Sequence, residues 1–584
     1  MVRQWAFSPL LCLNPQKDSV TDSRSSTTGY RCVQCGHEVE LQRNGHIQAS
    51  QLLDRFSKDN EHPSPSQLEA LRKEYEETFL IYGALDATIQ QLQASLEDAK
   101  RQSGILKTRL TAYKSAMNPI RRLPNEIVGY IFRLGVDADV DPTTLMSRLG
   151  RNQLFPSTLD TKRLPWTLGQ VCRRWRRLAI SLPDLWTTID INWDGILMGE
   201  RAQLFLERRL SLFLQRSSDR PLSISWYQDS CLDRVLLSML CSVSFRWKAA
   251  TIRTGTKGLR QLSVYSGLFS NLARLHLHFE EGMLLEQGET DAPFSTFRTA
   301  PALRELSLFG NDDSIPHRLN TQIPWHQITR FSVKDFSPIN IRTILPLLVN
   351  VEECILDSFD HSGGSLTLSP TILPHLHLLY VYPPTVDAAM SFFQSLTLPK
   401  LRSVELGIFD GPAGIADSFV QLLERSSCQL EKASLYYLDE VDLVRVLQSP
   451  RMHYVNTMDL CGSYLDDGSS PHYDGVSDEV LHILSLPLPN DDRAMCMILP
   501  HLRSLTLSGS TQWTDAALVK MLASRRRIDH LSTGSVSRLE KVGLDLEGES
   551  YRELIQDEWA RTLLDTLRVE GLGVFNGANG ANNA

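Results

Sequence analysis

The chain has 584 residues and a mass of 66.0 kDa, too large for one simple core, so several domains or a repeat array are expected. Apolar residues make up 42% and aromatic residues 8%, as in soluble globular proteins. The formal net charge of -8 gives no overall attraction to nucleic acid or to an anionic membrane. The ten cysteines are scattered, mostly in apolar segments, which predicts reduced thiols in the cytoplasm or nucleus. We expect no secretory leader, because the N-terminal apolar run is short and broken by Pro9. We expect no membrane span, because no apolar run approaches about 20 residues.

Residues 1–66 are predicted to form a mostly disordered arm, because they include polar stretches without core residues. Within the arm, "RCVQCGHEVELQRNGH" places Cys32 and Cys35 in a CxxC spacing. Two thiolates on a tight turn can hold one tetrahedral zinc ion, the single cofactor that the sequence suggests. His37 and His46 do not complete a standard second half of such a site. The alternative, two reduced cysteines without metal, therefore stays open.

Residues 67–117 carry a helical repeat in which seam positions alternate in steps of four and three. A seam of this kind is typical of a left-handed coiled coil, and charged residues flank it. Two interpretations stay open: a weak homodimer through residues 71–117, or a helix that packs on its own chain. The seam positions are Leu71, Tyr75, Thr78, Tyr82, Leu85, Ile89, Leu92, Leu96, Ala99, Ser103, Leu106, Leu110, Tyr113 and Met117.

Asn118-Pro119 ends that helix, because the residue before a proline is pushed out of the α region. A new helix is predicted from "LPNEIVGYIFRLG", in which Pro124 suits the first turn. Residues 135–163 are polar and are predicted to form a loop. The apolar residues of the new helix fall at helical spacing on one side: Leu123, Ile127, Tyr130, Ile131 and Leu134.

The segment "VCRRWRRLAISLPDLW" is predicted to form one helix from about Leu168 that ends at Pro183. One face is a continuous apolar stripe, and four arginines form its solvated back. A helix that reads DNA would need further basic elements around it, and the neighbouring sequence supplies none. The stripe, which is the informative part, comprises Val171, Cys172, Trp175, Leu178, Ala179 and Leu182.

Together, "LPNEIVGYIF" and "VCRRWRRLAISLPDLW" resemble the F-box, and especially the F-box-like proteins abundant in mushroom-forming fungi, in which a heptad helix commonly precedes the module. The resemblance covers roughly residues 67–193 and implies a small all-α domain at 118–195, with the long loop 135–163 where a compact F-box has a short middle helix. It also implies docking on the Skp-type adaptor of a cullin-RING ubiquitin ligase. The positions that match the core and adaptor-facing residues of the family are Leu123, Pro124, Ile127, Ile131, Val171, Cys172, Trp175 and Leu178.

Residues 196–570 repeat apolar residues at x, x+3 and x+5, and most repeats begin 23 to 31 residues after the previous one. This period and pattern are typical of leucine-rich repeats, with one short strand per turn and helices such as "IADSFVQLLER" outside. The wider gap from Val455 to Leu502 predicts an inserted helix or an unrecognised repeat. Residues 571–584 are expected to be a disordered tail. The first apolar residues of the repeats are Trp247, Leu272, Leu303, Ile328, Val351, Leu376, Leu401, Leu430, Val455, Leu502 and Leu539.

The predicted fold class is therefore α/β: an N-terminal heptad helix and a small all-α F-box-like module, followed by an irregular leucine-rich-repeat solenoid. Because side chains alternate along a strand, those at x+2, x+4 and x+6 should face the concave surface. Aromatic residues there suit a protein-binding surface. The alternative is that loops cover this surface and the tyrosines only pack. The proposed partner-binding residues are Arg274, His276, Glu305, Phe309, Tyr380, Tyr382, Glu405, Lys432 and Tyr436.

Catalytic motifs are missing from the sequence: we find no P-loop, no nucleophile elbow, no zinc-protease motif and no dinucleotide fingerprint. The protein is therefore predicted not to be an enzyme. The leading hypothesis is a substrate receptor of a cullin-RING ligase that binds a Skp-type adaptor and an unnamed protein substrate, without nucleic acid or membrane. The alternative is a coiled-coil scaffold unconnected with ubiquitin.

Overall fold

A computed structural model describes the protein over twenty segments of the chain. The chain divides into two compact units, residues 1–123 and 124–584. The described residues are 27–31, 38–42, 51–58, 62–139, 158–192, 200–227, 234–254, 256–278, 296–309, 323–336, 341, 343–359, 370–383, 385–407, 414–462, 476–486, 497–509, 513–528, 536–545 and 555–576.

The first unit contains a strand pair and two helices. Strands β1 (Thr27–Arg31) and β2 (Glu38–Gln42) pair antiparallel, and helix α1 spans Gln51–Lys58. These three segments lie in the arm of residues 1–66, which we expected to be mostly disordered. Cys32 and Cys35 lie outside the described residues, and so do His37 and His46.

Helix α2, Pro65–Ala116, is one uninterrupted helix of 52 residues. It starts with a capping box, in which the Ser64 hydroxyl accepts from the Gln67 amide and the Gln67 side chain accepts from the Ser64 amide at 2.9 Å. None of its residues is buried. A 3-10 turn, Pro119–Arg122, follows, because Asn118 and Pro119 cannot continue the helix.

The second unit begins with a small helical module. Helix α3 spans Asn125–Asp139, α4 spans Leu168–Val171, α5 spans Arg173–Ser181, and a 3-10 turn covers Pro183–Trp186. The Phe132 and Trp175 rings meet edge to face at 4.8 Å. The buried apolar residues of the module are Val128, Phe132, Val136, Leu159, Leu168, Ala179, Leu185 and Trp186.

The single helix predicted from Leu168 is wrong, because the chain breaks at Cys172. This residue is extended, with φ -159° and ψ 170°, and separates α4 from α5. Its sulfur accepts a hydrogen bond from the Trp175 amide at 3.4 Å and so caps α5. Periodicity could not show this break, since the apolar spacing is the same on both sides of Cys172.

The rest of the second unit is a sheet of fourteen parallel strands, hydrogen-bonded in chain order. Short strands β10 (Thr371–Ile372) and β12 (Leu396–Thr397) form a separate parallel pair. The strands of the large sheet are β3 Thr188–Asn192, β4 Leu222–Tyr227, β5 Trp247–Arg253, β6 Arg274–His278, β7 Glu305–Phe309, β8 Arg330–Phe336, β9 Glu353–Phe359, β11 Leu378–Tyr382, β13 Ser403–Gly407, β14 Lys432–Tyr436, β15 Thr457–Cys461, β16 Ser504–Ser508, β17 Lys541–Asp545 and β18 Gly573–Asn576.

The sheet extends beyond both limits that we predicted for the solenoid. Strand β3 lies inside residues 118–195, and β18 lies inside the predicted disordered tail 571–584. Neither strand belongs to the repeats recognised from the sequence. Between β15 and β16, which pair directly, the described part of the gap holds a helix, Asp478–Leu484, so an inserted helix accounts for the wide spacing.

Helices connect many of the strands, and the segment "IADSFVQLLER", predicted to be helical, forms the helix Ile415–Ser426. Phe393 of the preceding helix, Val386–Ser395, packs against Phe419 at 5.3 Å between ring centroids, so neighbouring helices share one apolar layer. The helices are α6 Glu200–Arg216, α7 Arg234–Cys241, α8 Thr256–Ser263, α9 Val386–Ser395, α10 Ile415–Ser426, α11 Glu440–Leu447, α12 Asp478–Leu484, α13 Asp515–Arg526 and α14 Glu558–Val569.

The repeat core follows the alternation of the strands. In the repeat that contains β6, the three inward residues Leu272, Leu275 and Leu277 are at most 1% exposed. Side-chain amides join consecutive turns: the Asn271 amide donates to the Phe245 carbonyl, and other such bonds run from Gln327 to Ala300 and from Asn350 to His326, each at 2.6 Å. The irregular solenoid thus retains polar bonds between turns at these three junctions.

Candidate functional site

Helix α3 of the helical module has two apolar faces, and only one of them is buried. Val128, Phe132 and Val136 point into the module core. On the other face, four large apolar side chains stand at i, i+3, i+4 and i+7 and are between 42% and 58% exposed: Ile127, Tyr130, Ile131 and Leu134. We call these four residues the α3 apolar face. A face of this kind on a helix suits contact with another protein.

The predicted stripe of "VCRRWRRLAISLPDLW" divides between surface and core. Val171 is 62% exposed and Cys172 is also exposed. Trp175 and Leu178 are half-buried, and Ala179 is buried. Because the chain breaks at Cys172, only Val171 and Cys172 of this segment present most of their side chains to solvent.

The two remaining adaptor-facing candidates precede α3. Leu123 is half-buried and ends the 3-10 turn of the first unit. Pro124 is exposed, and its carbonyl accepts from the Val128 amide at 3.1 Å at the start of α3. Sequence reasoning noted Tyr130 and Leu134 at helical spacing but left them out of the candidate site, although both are more exposed than Ile131.

Some of the arginines of α5 hold the module together. The Arg174 Nε donates to Asn125 Oδ1 at 3.0 Å, and the Arg176 Nε donates to the Gly169 carbonyl at 2.7 Å. These bonds join the two sequence halves of the module and the two short helices. The arginine side of α5 therefore has structural contacts that a free nucleic-acid-binding patch would lack.

The face of the sheet that bears the side chains at x+2, x+4 and x+6, predicted to be concave and here called the concave face, carries the second set of candidates. Arg274 and Lys432 are exposed, whereas Phe309 and Tyr382 are buried, at 6% and 8% exposure. The remaining candidates are half-buried, so the face offers parts of these side chains: His276, Glu305, Tyr380, Glu405 and Tyr436.

Three tyrosines of this face meet in one cluster, which we call the tyrosine cluster: Tyr380, Tyr382 and Tyr436. The Tyr382 ring lies 4.8 Å from the Tyr380 ring and 6.2 Å from the Tyr436 ring, nearly parallel to the latter. The Tyr382 hydroxyl donates to Glu405 Oε1 at 3.1 Å. Burial raises the pKa of Tyr380 to about 12 and also raises the pKa of the Glu405 carboxyl. The tyrosines are therefore protonated hydrogen-bond donors at neutral pH.

Ion pairs between neighbouring strands surround the cluster. Arg330 pairs with Glu353 at 3.1 Å and Lys334 with Asp357 at 3.0 Å. Lys432 pairs with Asp459 at 3.2 Å. Except for Lys432, sequence reasoning missed these residues, although the same x+2, x+4 and x+6 rule places them on the concave face.

On strands β6 and β7 of the concave face, His276 and Glu305 lie side by side. His276 Nε2 is 3.6 Å from Glu305 Oε1. Burial, and secondarily the charge of Arg274, lower the pKa of His276 to about 4. The imidazole is therefore neutral at pH 7, and the contact is not an ion pair there.

The described residues offer no metal-binding group and no membrane-spanning helix. They contain no group of three or more His, Cys, Asp or Glu side chains arranged to hold a metal ion. Among the described helices, none combines the length and apolar character needed to cross a membrane.

Comparison with known proteins identifies residues 120–192 as an F-box-like domain, through a match to the F-box-like family. No curated protein matches the chain. A crystal structure of a Bacteroides fragilis protein is 14% identical with a TM-score of 0.25, covering 44% of this chain and 64% of that one. The Rad7 and Elc1 complex of yeast is 12% identical with a TM-score of 0.27, covering 77% of this chain and 98% of that one. Such TM-scores carry no conclusion about this chain.

Proposed function

We propose that this protein is the substrate-recognition subunit of a cullin-RING ubiquitin ligase of the SCF type. The α3 apolar face within the F-box-like domain is the observation that carries the proposal. An exposed face of four large apolar residues is favourable to bury against a complementary groove, at about 25 cal/mol per Å² of apolar surface. The Skp-type adaptor supplies that groove, and the cullin binds through the adaptor. Such a complex acts in the cytoplasm or nucleus and requires no catalytic residue of this chain.

The same proposal includes the boundaries of the domains and the type of F-box-like protein to which the chain belongs. The heptad helix at 67–117, the F-box-like domain at 118–195 and the repeat region at 196–570 form the arrangement seen in F-box-like proteins of mushroom-forming fungi. The repeat region is then a leucine-rich-repeat array. Its sheet of parallel strands with inward leucines supports this assignment.

The test of adaptor docking uses the full chain and a purified Skp-type adaptor. Ile127→Asp combined with Ile131→Asp should weaken adaptor binding at least 100-fold, because an unpaired carboxylate in an apolar contact costs several kcal/mol. Val264→Asp is the matched control, since Val264 is 80% exposed and lies outside the F-box-like domain. Unchanged adaptor affinity in the folded double variant would contradict the proposal.

We further propose that the concave face binds the target protein, with the tyrosine cluster at its centre. Tyrosine is enriched among residues that dominate protein interfaces, and Tyr380 and Tyr436 retain partial exposure. Tyr380→Ala with Tyr436→Ala should reduce the amount of target recovered with the chain. The control pair, Gln421→Ala with Lys520→Ala, changes exposed helix residues. Equal recovery by both pairs, with unchanged melting temperatures, would remove the concave face from consideration.

A scaffold role without ubiquitin transfer is the second candidate function. The observation in its favour is that α2 has 52 residues and buries none of them. A helix of this length with an apolar seam normally gains its stability by packing on a partner.

A further inference from the structure

The α2 seam is apolar and uncovered over nearly its whole length. From Tyr75 to Met117 every large apolar seam residue is at least 44% exposed: Tyr75, Tyr82, Leu85, Ile89, Leu92, Leu96, Leu106, Leu110, Tyr113 and Met117. Leu71 alone among the large apolar seam residues is half-buried. Such a row of apolar side chains is favourable to bury against a second helix with the same seam.

The order of large and small residues along the seam distinguishes the two orientations of a second copy. In a parallel pair each seam residue meets its own equivalent, so Ala99 would face Ala99 and Ser103 would face Ser103 in successive layers. Such layers leave space unfilled, whereas Tyr82 would crowd its own copy. Cavities and overpacking both reduce stability.

An antiparallel pair with full overlap matches a large residue with a small one in three of its seven distinct layers, and it places Tyr75 opposite Tyr113. When Leu71 of one helix lies opposite Met117 of the other, the layers alternate a with d positions. The complementary layers are then Ile89 with Ala99, Leu85 with Ser103, and Leu110 with Thr78. Leu92 lies opposite Leu96 at the centre.

Charge along the helix favours the same orientation. The half at residues 65–90 has the acidic residues Glu69, Glu74, Glu76, Glu77 and Asp86 against the basic residues Arg72 and Lys73. The half at residues 91–116 has Lys100, Arg101, Lys107, Arg109 and Lys114 against Glu97 and Asp98. Parallel helices would place like halves together, and antiparallel helices place opposite halves together.

One flanking pair has a specific partner in the antiparallel register. Asp86 and Lys100 occupy e positions, and e positions face each other across an antiparallel seam. Lys100 already bonds Glu97 of its own helix at 2.9 Å, but an ammonium group has three donors and can serve both carboxylates. The like-charged Arg72 and Lys114 also face each other near the exposed ends, where solvent and salt screen them.

We propose that α2 is a self-association surface that pairs antiparallel with α2 of a second copy of this chain. The proposal rests on the scaffold role, the second candidate function, and does not depend on adaptor docking. It commits to full overlap of residues 71–117, with Leu92 against Leu96 and Asp86 against Lys100 of the second copy.

Zero-length carbodiimide cross-linking of mixed light and 15N-labelled full-length chains tests this orientation. Asp86 and Lys100 of one helix are about 21 Å apart along the axis, too far for a direct bond within one copy. The expected product is a mixed light–heavy peptide pair that joins Asp86 to Lys100. A dimer by sedimentation that lacks this product would overturn the antiparallel register. A chain that stays monomeric up to about 100 micromolar, a concentration at which even a weak coiled coil associates, would overturn self-association.

Charge exchange provides the second measurement, by sedimentation equilibrium. Asp86→Lys should weaken the dimer about tenfold, since two symmetric pairs become repulsive, and Asp86→Lys with Lys100→Asp should restore it. Glu76→Lys is the control, a charge reversal of the same kind on the side away from the seam. Failure of the double variant to restore dimerisation would contradict the assigned pair. Adaptor affinity, measured on the same proteins, should not change.

Discussion

Tyr382 lies over the backbone of Gly407, on the strand that separates it from Tyr436. A Cβ atom at Gly407 would overlap Cε1 and Cδ1 of the Tyr382 ring, so only glycine leaves room for the ring in this position. Gly407 also pairs with Tyr436 in the register of β13 and β14. The missing side chain therefore allows two tyrosines from non-adjacent strands to stack at 6.2 Å.

Gly407→Ala should displace the Tyr382 ring and lower the stability of the repeat array by about 1–3 kcal/mol, as overpacking does in other cores. The measurement is the melting temperature together with the near-ultraviolet circular dichroism of the tyrosines. Gly104→Ala is the control, because a Cβ there meets no atom within 4 Å and alanine favours a helix. A Gly407→Ala variant that melts at or above the wild-type temperature would contradict the crowding argument.

The sequence predicted the orientation of the concave side chains because strand alternation depends only on local geometry. Once Leu376 was assigned to the repeat pattern, Tyr380 and Tyr382 had to fall on the other face. The role of Gly407 could not be predicted in the same way. It depends on a tyrosine 25 residues earlier in the chain, and only the register of neighbouring strands brings the two together. The break at Cys172 was also hidden, since helical spacing continues across it.

Buried Arg525 holds the junction between α12 and α13. The residue is 1% exposed, and its guanidinium donates to the Leu499 carbonyl at 2.9 Å, to the Ile498 carbonyl at 2.7 Å and to the Leu484 carbonyl. Arg525→Met should destabilise the C-terminal repeats by roughly 3–5 kcal/mol, because it leaves buried carbonyls without donors. Hydrogen exchange over residues 497–545 measures the effect. Lys520→Met on the same helix is exposed and should leave exchange unchanged.

Asp442 caps a helix of the preceding repeat. Its carboxylate accepts from the Gly414 amide at 2.7 Å, from Ile415 at 3.1 Å and from Ala416 at 3.2 Å, and the side chain is buried. Asp442→Ala should lower the free energy of unfolding by about 2 kcal/mol, the upper end of the range for loss of a helix cap. Asp417→Ala, which removes an exposed ion pair with Arg445, should cost less than about 1 kcal/mol. Equal melting temperatures of the two variants would show that the cap contributes nothing beyond a surface pair.

The burial of the Asp190 carboxyl on β3 leads us to expect an unusual pH dependence of stability. Desolvation raises the pKa of its carboxyl to about 6, and a hydrogen bond with Ser225 and the charge of Arg163 oppose the shift only in part. The folded state therefore binds the proton more tightly than the unfolded state. The contribution of Asp190 to the free energy of unfolding falls as pH rises from about 4 to about 6. Asp190→Asn should raise stability above pH 6 by an amount on the order of 1–3 kcal/mol and change little below pH 4. Denaturant unfolding of both proteins at pH 4, 5, 6 and 7 measures the difference. A constant difference across this range would show that the carboxyl does not titrate there.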